Sequence, residues 1–403
     1  MISVAEALEN ILAGVGLTGV EQVGLDVAHA RVLAEDVSAR FTQPPVPVSA
    51  MDGYAVRSAD ITVVPATLRR IGESAAGGSF DGVVGPGECV RIFTGAPVPD
   101  GADAILIQED TEVDGETVTA RESVRTGQFI RPAGLDFSAG ETLLRAGSIL
   151  TARDIGLAAA MNRPSLSVRM RPRIAILSTG DELVNPGEQP GPNQIVSSNG
   201  VALAAMVRCL GGDPVNVGIA ADNDAALDKA ADAARHADML VTIGGASVGD
   251  YDLVRSGLER RDLELDFYKI AMRPGKPLMF GHIAGTPMMG LPGNPVSALV
   301  CSLIFLRPAL QKMMGCAEEL GESVMPLAAP LPENDRREDY LRAVIERGPD
   351  GESRVRSFEK QDSSMLSRLA LADALVVRPP FAKAAAAGEF VRVLHLQATA
   401  FRI

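Results

Sequence analysis

The sequence predicts a multidomain α/β plus β protein: a doubly wound α/β domain, a β-rich inserted domain, a small helical/mixed linking domain and a small C-terminal β domain. Three observations predict it. Apolar strands alternate with helical periodicities over residues 173–308, the pattern of a parallel sheet covered on both faces. Short apolar runs broken by glycine fill residues 49–131 and return after 317, the texture of sheet joined by tight turns. The chain also has 403 residues, enough for two to four domains at roughly 150 residues each.

From the N-terminus, residues 3–12 read as a capped amphipathic helix. Ser3 stands at the cap, Glu6 three residues on, and Val4, Ala7, Leu8 and Ile11 form one apolar stripe. Residues 27–34 read as a second, shorter helix. Pro44, Pro45 and Pro47 forbid helix and mark a domain edge. Beyond them the expected strands lie near 53–57, 88–93, 104–108 and 117–120, with turns at Gly85-Pro-Gly, Pro99-Asp-Gly and Asp114-Gly. Asp52 sits at a turn before the first of these strands and Thr94 at the end of another. Each taken alone reads as a turn former before it reads as a site residue.

Residues 140–150 look strand-like, and 151–161 helical, with Thr151 and Asp154 spaced as a capping box. This helix-bearing stretch is expected to rejoin the N-terminal helices. The α/β stretch then runs strand 173–178, helix 200–210, strand 215–220, helix 224–236, strand 239–243, a turn and helix 253–260, strand material over 267–289, and helix 296–305. The apolar run 296–306 is expected to end at Arg307-Pro308 and to be too short for a bilayer. Residues 340–345, 374–377 and 390–396 read as strands of a small barrel or sandwich.

Ligands of such α/β domains bind at the carboxyl ends of the strands, beside the switch in strand order. There this chain places Ser178-Thr-Gly-Asp-Glu, Asp222, and the stretch from Gly244 and Gly245 through Ser247 and Gly249 to Asp252. A strand feeding paired glycines and a helix start makes an anion site from unpaired N–H groups. Aspartates beside it suit a divalent cation. An ordinary strand-to-helix turn fits that stretch by itself, and the other two strand ends tip the reading to a site. Arg273-Pro-Gly-Lys-Pro adds cations for phosphate oxygens. Leu291-Pro-Gly-Asn-Pro reads equally as a stiff helix start, with Asn294 as cap, or as a ligand contact.

The net charge of −13 and pI near 4.9 argue against nucleic acid or an anionic membrane as a bulk partner. Any anionic ligand must be held by local geometry. Cys89, Cys209, Cys301 and Cys316 are widely spaced and read as buried reduced thiols. His29, His236, His282 and His395 lie outside every motif. The N-terminus has neither a basic region nor a long apolar core, so no signal peptide and a cytoplasmic location are expected.

Taken together, Ser49-Ala-Met-Asp-Gly-Tyr-Ala-Val-Arg, Phe93-Thr-Gly-Ala with Pro99-Asp-Gly-Ala-Asp, Ser178-Thr-Gly-Asp-Glu-Leu, Gly244-Gly-Ala-Ser-Val-Gly, Pro274-Gly-Lys-Pro and Leu291-Pro-Gly-Asn-Pro-Val-Ser resemble the molybdopterin molybdenumtransferase (MoeA) family, related to the E domain of gephyrin. The motifs stand in the family's order across nearly the whole chain. The resemblance implies a discontinuous linking domain (1–42 and 132–170), a β-rich insert (43–131), a molybdopterin-binding α/β domain (171–316) and a C-terminal small β-barrel (317–403). It implies a homodimer whose active site is shared between subunits, and transient contact with the molybdopterin adenylyltransferase. The implied reaction is molybdate-dependent cleavage of adenylylated molybdopterin to molybdenum cofactor and AMP with Mg²⁺.

By matching motif, Asp52, Thr94 and Asp136 would come from one subunit, and Glu182, Asp222, Asp252, Lys269 and Lys276 from the other. Asp52, Glu182 and Asp252 would hold the metal. Ser178, Thr179, Gly180, Gly244, Gly245, Ser247, Gly249, Arg273, Pro292, Gly293, Pro295 and Ser297 would contact substrate. The chain departs from the family at Ile195-Val-Ser, at Leu135 before Asp136, and at Arg273, where lysine is common. A carrier or scaffold that binds molybdopterin without turnover is the alternative, and another nucleotide-pyrophosphate hydrolase is a second. Phosphoanhydride cleavage needs positioning and charge neutralisation rather than a nucleophilic triad, which agrees with the residues present.

Overall fold

The structure is a computed structural model that describes residues 1–220, 228, 232–244, 263–316, 321–348 and 350–396. The chain divides into two compact units: Met1–Glu35, Ala146–Arg153 and Ser165–Ile403 form the first, Asp36–Arg145 and Asp154–Pro164 the second.

The first unit begins with helix Val4–Ala13, started by the capping box that Ser3 and Glu6 spell out: Glu6 N donates to Ser3 Oγ at 3.2 Å and Ser3 N to Glu6 Oε2 at 2.7 Å. Its buried face, Val4, Ala7 and Ile11, joins the same core as Ala309, Leu310 and Met313 of helix Arg307–Met313. Thr18 ties the segment down, its N and Oγ1 donating to the Met313 carbonyl at 2.7 and 3.1 Å. Lys312 Nζ donates to the Leu12 carbonyl.

Residues 27–34 are not the expected helix. A single 3-10 turn, Leu25–Val27, is followed by Ala30 at φ 59°, and Val32 and Leu33 bridge Ile149 and Val168. Arg169 N donates to the Val32 carbonyl at 2.8 Å and Leu33 N to Ser148 O at 2.9 Å. Partners far along the chain thus satisfy the backbone groups that a helix would have paired locally.

The central sheet has six strands in the order Asp213–Ala220, Arg173–Thr179, Met239–Ile243, Thr286–Leu291, Met279–Ile283 and Leu263–Phe267. The first four run parallel, and Met279–Ile283 is antiparallel to both of its neighbours, so Leu263–Phe267 again runs with the first four. Alternation along each strand feeds two cores. Ile174, Ile176, Met239, Val241 and Ile243 face Leu203 and Val207 of helix Asn199–Cys209 and Val296 and Val300 of helix Pro295–Cys301. Ala175, Leu177, Leu240 and Met288 face the opposite way with Ala234. Burial on both faces is why these strands are continuously apolar in sequence. Strand order reverses between 173–179 and 239–243, the place where ligands of such sheets bind.

The helix expected over 296–305 does not stop at Arg307-Pro308. Helix Pro295–Cys301 passes through a π turn, Ser302–Leu306, into helix Arg307–Met313. The widened turn accommodates a proline that has no N–H to give and would crowd an ordinary α turn. The 19 residues are long and apolar enough by length and composition to cross a membrane, yet they lie mostly inside the core.

The remaining sheet of this unit runs Met272–Arg273, Glu338–Arg347, Ala374–Arg378, Phe390–His395, Glu322–Pro326, with Ser353–Ser357 against Glu338–Arg347. Leu327 bridges Val355 and so joins the two ends around an interior of Ala343, Val355, Ala374, Val376 and Val393.

In the second unit six strands lie in the order Ala104–Ile107, Gly53–Val56, Glu88–Ile92, Ala66–Ser74, Thr117–Ala120, Thr111–Asp114. The Asp114-Gly turn closes the last pair, with Asp114 opposite Thr117 and Gly115 at φ 60°, the left-handed conformation that such hairpins require. The part of helix Ala152–Ala160 from Asp154 on and the short ladder Val37–Ser38 with Thr142–Leu144 complete it.

Candidate functional site

The second unit builds one group of candidate residues at a sheet end. Gly53–Val56 pairs with Glu88–Ile92, Gly53 opposite Ile92, so Asp52 just before one strand meets Thr94 just after the other. A Cβ on Gly53 would lie 2.1 Å from the Leu106 carbonyl, so only glycine lets the 104–107 strand close against this corner. Asp52 Oδ1 accepts from Thr94 N at 2.7 Å and Thr94 Oγ1 at 2.8 Å. These two bonds hold the Asp52 carboxyl below its ordinary range, helped by the nearby charge of Arg91.

Asp136 lines a cavity of about 630 Å³ together with Arg131, Gly95, Gly77, Gly78, Pro97 and the segment Gln43, Pro44, Pro45 and Val46. Gly95 connects this cavity to Thr94. The prolines that mark a boundary in the sequence are therefore also a wall, and Arg131 a charged group, of a hollow for which the sequence carries no signal.

The first unit builds a second group at the carboxyl ends of its parallel strands. Ser178 and Thr179 are buried, and Thr179 Oγ1 donates to the Ile243 carbonyl at 3.4 Å. Gly244 follows at φ 94°, its N–H donating to Leu291 O at 3.0 Å. A Cβ on Gly244 would lie 2.6 Å from the Thr179 carbonyl, and one on Gly293 would lie 3.7 Å from Gly244 Cα. Three strand ends thus converge with their backbones nearly touching. Asn199, at the start of helix Asn199–Cys209, donates through Nδ2 to Gly293 O at 2.6 Å.

Asn199 was missed by sequence reasoning, its one signal being an amide at a helix start. Pro292 and Ser297 are buried, Pro295 is half-buried at the first turn of its helix, and Gly293 is exposed. Asn294 makes no cap bond and instead donates to Ser363 Oγ at 3.0 Å. Glu182 is exposed, and its carboxylate lies 2.5 Å from where a Cβ on Gly180 would be. Lys269 is half-buried, its ammonium 5.2 Å from the centre of the Tyr268 ring. Lys276 is exposed in the loop whose Gly275 packs on Cys301.

Arg273 departs from the expectation of a phosphate cation. Its guanidinium pairs with Asp339 and, at 3.3 Å, with Asp335, so two carboxylates already match its charge. Burial pushes the Asp339 carboxyl up, against the pull of that guanidinium. Cys209 is exposed rather than buried and Cys316 is half-buried, while Cys89 and Cys301 are buried, and none of the four forms a disulfide. Asp222, Gly245, Ser247, Gly249 and Asp252, the helix expected over 253–260 and most of that over 224–236 lie outside the described residues. Among the described residues, no three His, Cys, Asp or Glu side chains come together as a metal site.

Three family models match in order along the chain: the MoeA N-terminal region (domains I and II) over residues 2–162, a probable molybdopterin binding domain over 175–312, and the MoeA C-terminal region (domain IV) over 324–396. The molybdopterin molybdenumtransferase of Nostoc sp. is 36% identical over 93% of this chain and 88% of its own length. Molybdopterin molybdenumtransferase 2 of Mycobacterium tuberculosis is 37% identical over 93% of this chain and 94% of its own. The crystal structure of a molybdopterin biosynthesis MoeA protein from Pyrococcus horikosii is similar at TM-score 0.86 and 29% identity, covering 99% of this chain and 100% of that one. Matched end to end at this level, with a MoeA-like fold of mixed α/β and β-rich regions, the chain belongs to the MoeA family.

Proposed function

We propose that this chain is a molybdopterin molybdenumtransferase, cleaving adenylylated molybdopterin in a molybdate-dependent step to give molybdenum cofactor and AMP, the last common step of molybdenum cofactor biosynthesis. The observation that carries the reading is the convergence of Thr179, Gly244 and Gly293 at the switch in strand order, where an added Cβ would meet backbone at 2.6 Å. A backbone packed this closely, opening onto helix starts, offers N–H groups and no side-chain bulk to a phosphorylated ligand.

On this reading Ser178, Thr179, Gly180 and Ser297 line the pterin-phosphate side, with Ser247 and the glycines beyond Gly244. Lys269 and Lys276 neutralise charge on phosphate or molybdate oxygens, because breaking a phosphoanhydride is mostly positioning and charge compensation. Pro292 and Pro295 fix the loop without offering N–H groups. Asp52, kept ionised by Thr94, uses only Oδ1 in those two bonds, leaving Oδ2 for a further partner. Such carboxylates fit a hard divalent cation, and Asp52, Glu182 and Asp252 would hold Mg²⁺, which when bound draws charge from the phosphates. The shell is shared between two copies: Asp52, Thr94 and Asp136 of one subunit beside Glu182, Asp222 and Asp252 of the other.

The same reading gives a homodimer of four-domain subunits, each with a doubly wound molybdopterin-binding domain, a β-rich insert, a linking domain and a C-terminal β-barrel. It works in the cytoplasm and receives substrate from the adenylyltransferase by transient contact. Purified chain given adenylylated molybdopterin, Mg²⁺ and molybdate is expected to release AMP, and Asp52→Ala or Glu182→Ala to stop it. Release independent of molybdate would overturn the transferase reading. Binding without release would favour a carrier.

A further inference from the structure

We propose that Arg91 is a positioning residue that holds Asp52 and Thr94 in register, and this rests on the reading of that pair as site residues. Arg91 donates to neither of them. It grips the neighbour of each. Nη1 donates to the carbonyl of Gly53, the residue after Asp52, at 3.0 Å. Its guanidinium lies 4.7 Å from the ring centre of Phe93, the residue before Thr94, and 5.3 Å from that of Tyr54. Nη2 donates to Gln108 Oε1 at 2.7 Å, and Gln108 N in turn donates to the Asp52 carbonyl at 3.2 Å. The fork therefore touches all three segments that meet at this corner: 52–54, 91–94 and the start of 108–110.

Two features separate this arginine from an ordinary surface cation. Arg69 and Arg121 of the same region pair with Glu88 and Glu112, whereas Arg91 makes no ion pair among the described residues and is held by a carbonyl, an amide and two rings. Its geometry also uses what lysine lacks, a planar fork with separate donors and a flat face for stacking. The strand register explains the placement. Arg91 stands opposite Tyr54, one pair in from the sheet end where Gly53 meets Ile92, so its side chain spans the last rung below Asp52 and Thr94. Small displacements at a site of this kind cost large factors in rate.

The test uses the full chain. Amide hydrogen exchange at Thr94 is read by NMR in Arg91→Ala and Arg91→Lys, beside kcat and KM for AMP release with and without added ethylguanidinium. Arg91→Ala is expected to raise Thr94 exchange about tenfold and to lower kcat with KM little changed. Added ethylguanidinium restores part of that loss, and lysine restores little of it because it lacks the fork. Gln108→Ala loosens the same grip from the far side and gives a smaller effect of the same kind, should Arg91→Ala fail to fold. Unchanged Thr94 exchange in Arg91→Ala, or full recovery of kcat in Arg91→Lys, would overturn the proposal. Asp52→Asn measured in parallel separates the two ideas: normal turnover there removes Asp52 from the site, while Thr94 exchange still decides what Arg91 does.

Discussion

Gly244→Ala puts a methyl group where the strand ends leave no room. Gly244 has φ 94°, and the new Cβ would stand 2.6 Å from the Thr179 carbonyl oxygen and 3.1 Å from Thr179 Oγ1. Holding a side chain in the left-handed region costs about 1–3 kcal/mol. The contact with a backbone oxygen must be relieved by parting strands 173–179 and 239–243, and overpacking of that order costs about another 1–3 kcal/mol. Gly285 provides the internal control, because it sits at φ 82° in a hairpin turn with nothing within 4 Å of its added Cβ. Gly285→Ala carries the first cost alone. Urea unfolding followed by far-UV circular dichroism should therefore place Gly244→Ala about 1–3 kcal/mol below Gly285→Ala. Equal stabilities would show that the strand ends are looser than their 2.6 Å approach requires, and the close-packed anion site would lose its geometric basis.

The other expectations are simpler. Asp52→Asn removes the charge that both Thr94 bonds serve, whereas Thr94→Ala spares the amide bond, so AMP release should fall further in the first; about ten- to a hundredfold is expected for the loss of the hydroxyl bond in the second. Asp335 is held down to about 2, from an ordinary 3.8, first by its bonds from Arg337. Because the folded value lies below the unfolded one, its contribution is complete above about pH 4 and vanishes as pH falls toward 2. A melting-temperature profile should lose that acid slope in Arg337→Gln. Ellman's reagent should label exposed Cys209 first and leave Cys301 and Cys89, whose thiol burial pushes up to about 12, untouched until unfolding. Cys209→Ser should abolish the fast phase.

What the sequence revealed of this chain follows from where each residue's constraints originate. Strands 173–179 and 239–243 are legible because burial on both faces leaves no choice but apolar residues, and the first helix because Ser3 and Glu6 cap it within one turn. Residues 27–34 mislead because their partners, Ile149 and Val168, lie more than a hundred positions away, and a local pattern holds no record of them. Pro308 misleads because a π turn, invisible to periodicity, absorbs it. Arg273 looked available because the carboxylates of Asp335 and Asp339 stand more than sixty positions further along the chain, and only the pairing of Arg273 with Asp339 across neighbouring strands brings them to it. Asp52 and Thr94 could be picked out one at a time, but the bonds between them, and the arginine bracing both, exist only in the strand register.

The closure of the first helix on helix Arg307–Met313 bears on how the protein is made. Thr18 waits for a carbonyl 295 residues further along. At roughly 5–20 residues per second, the ribosome needs roughly 15–60 s to deliver it. Over that interval Val4, Ala7 and Ile11 form an apolar stripe with no core to enter, while the second unit, Asp36–Arg145 with Asp154–Pro164, is synthesised whole. Newly made chain should therefore pass through a state in which the inserted unit is finished and the N-terminus is still unpacked, the interval in which a holding chaperone would find it.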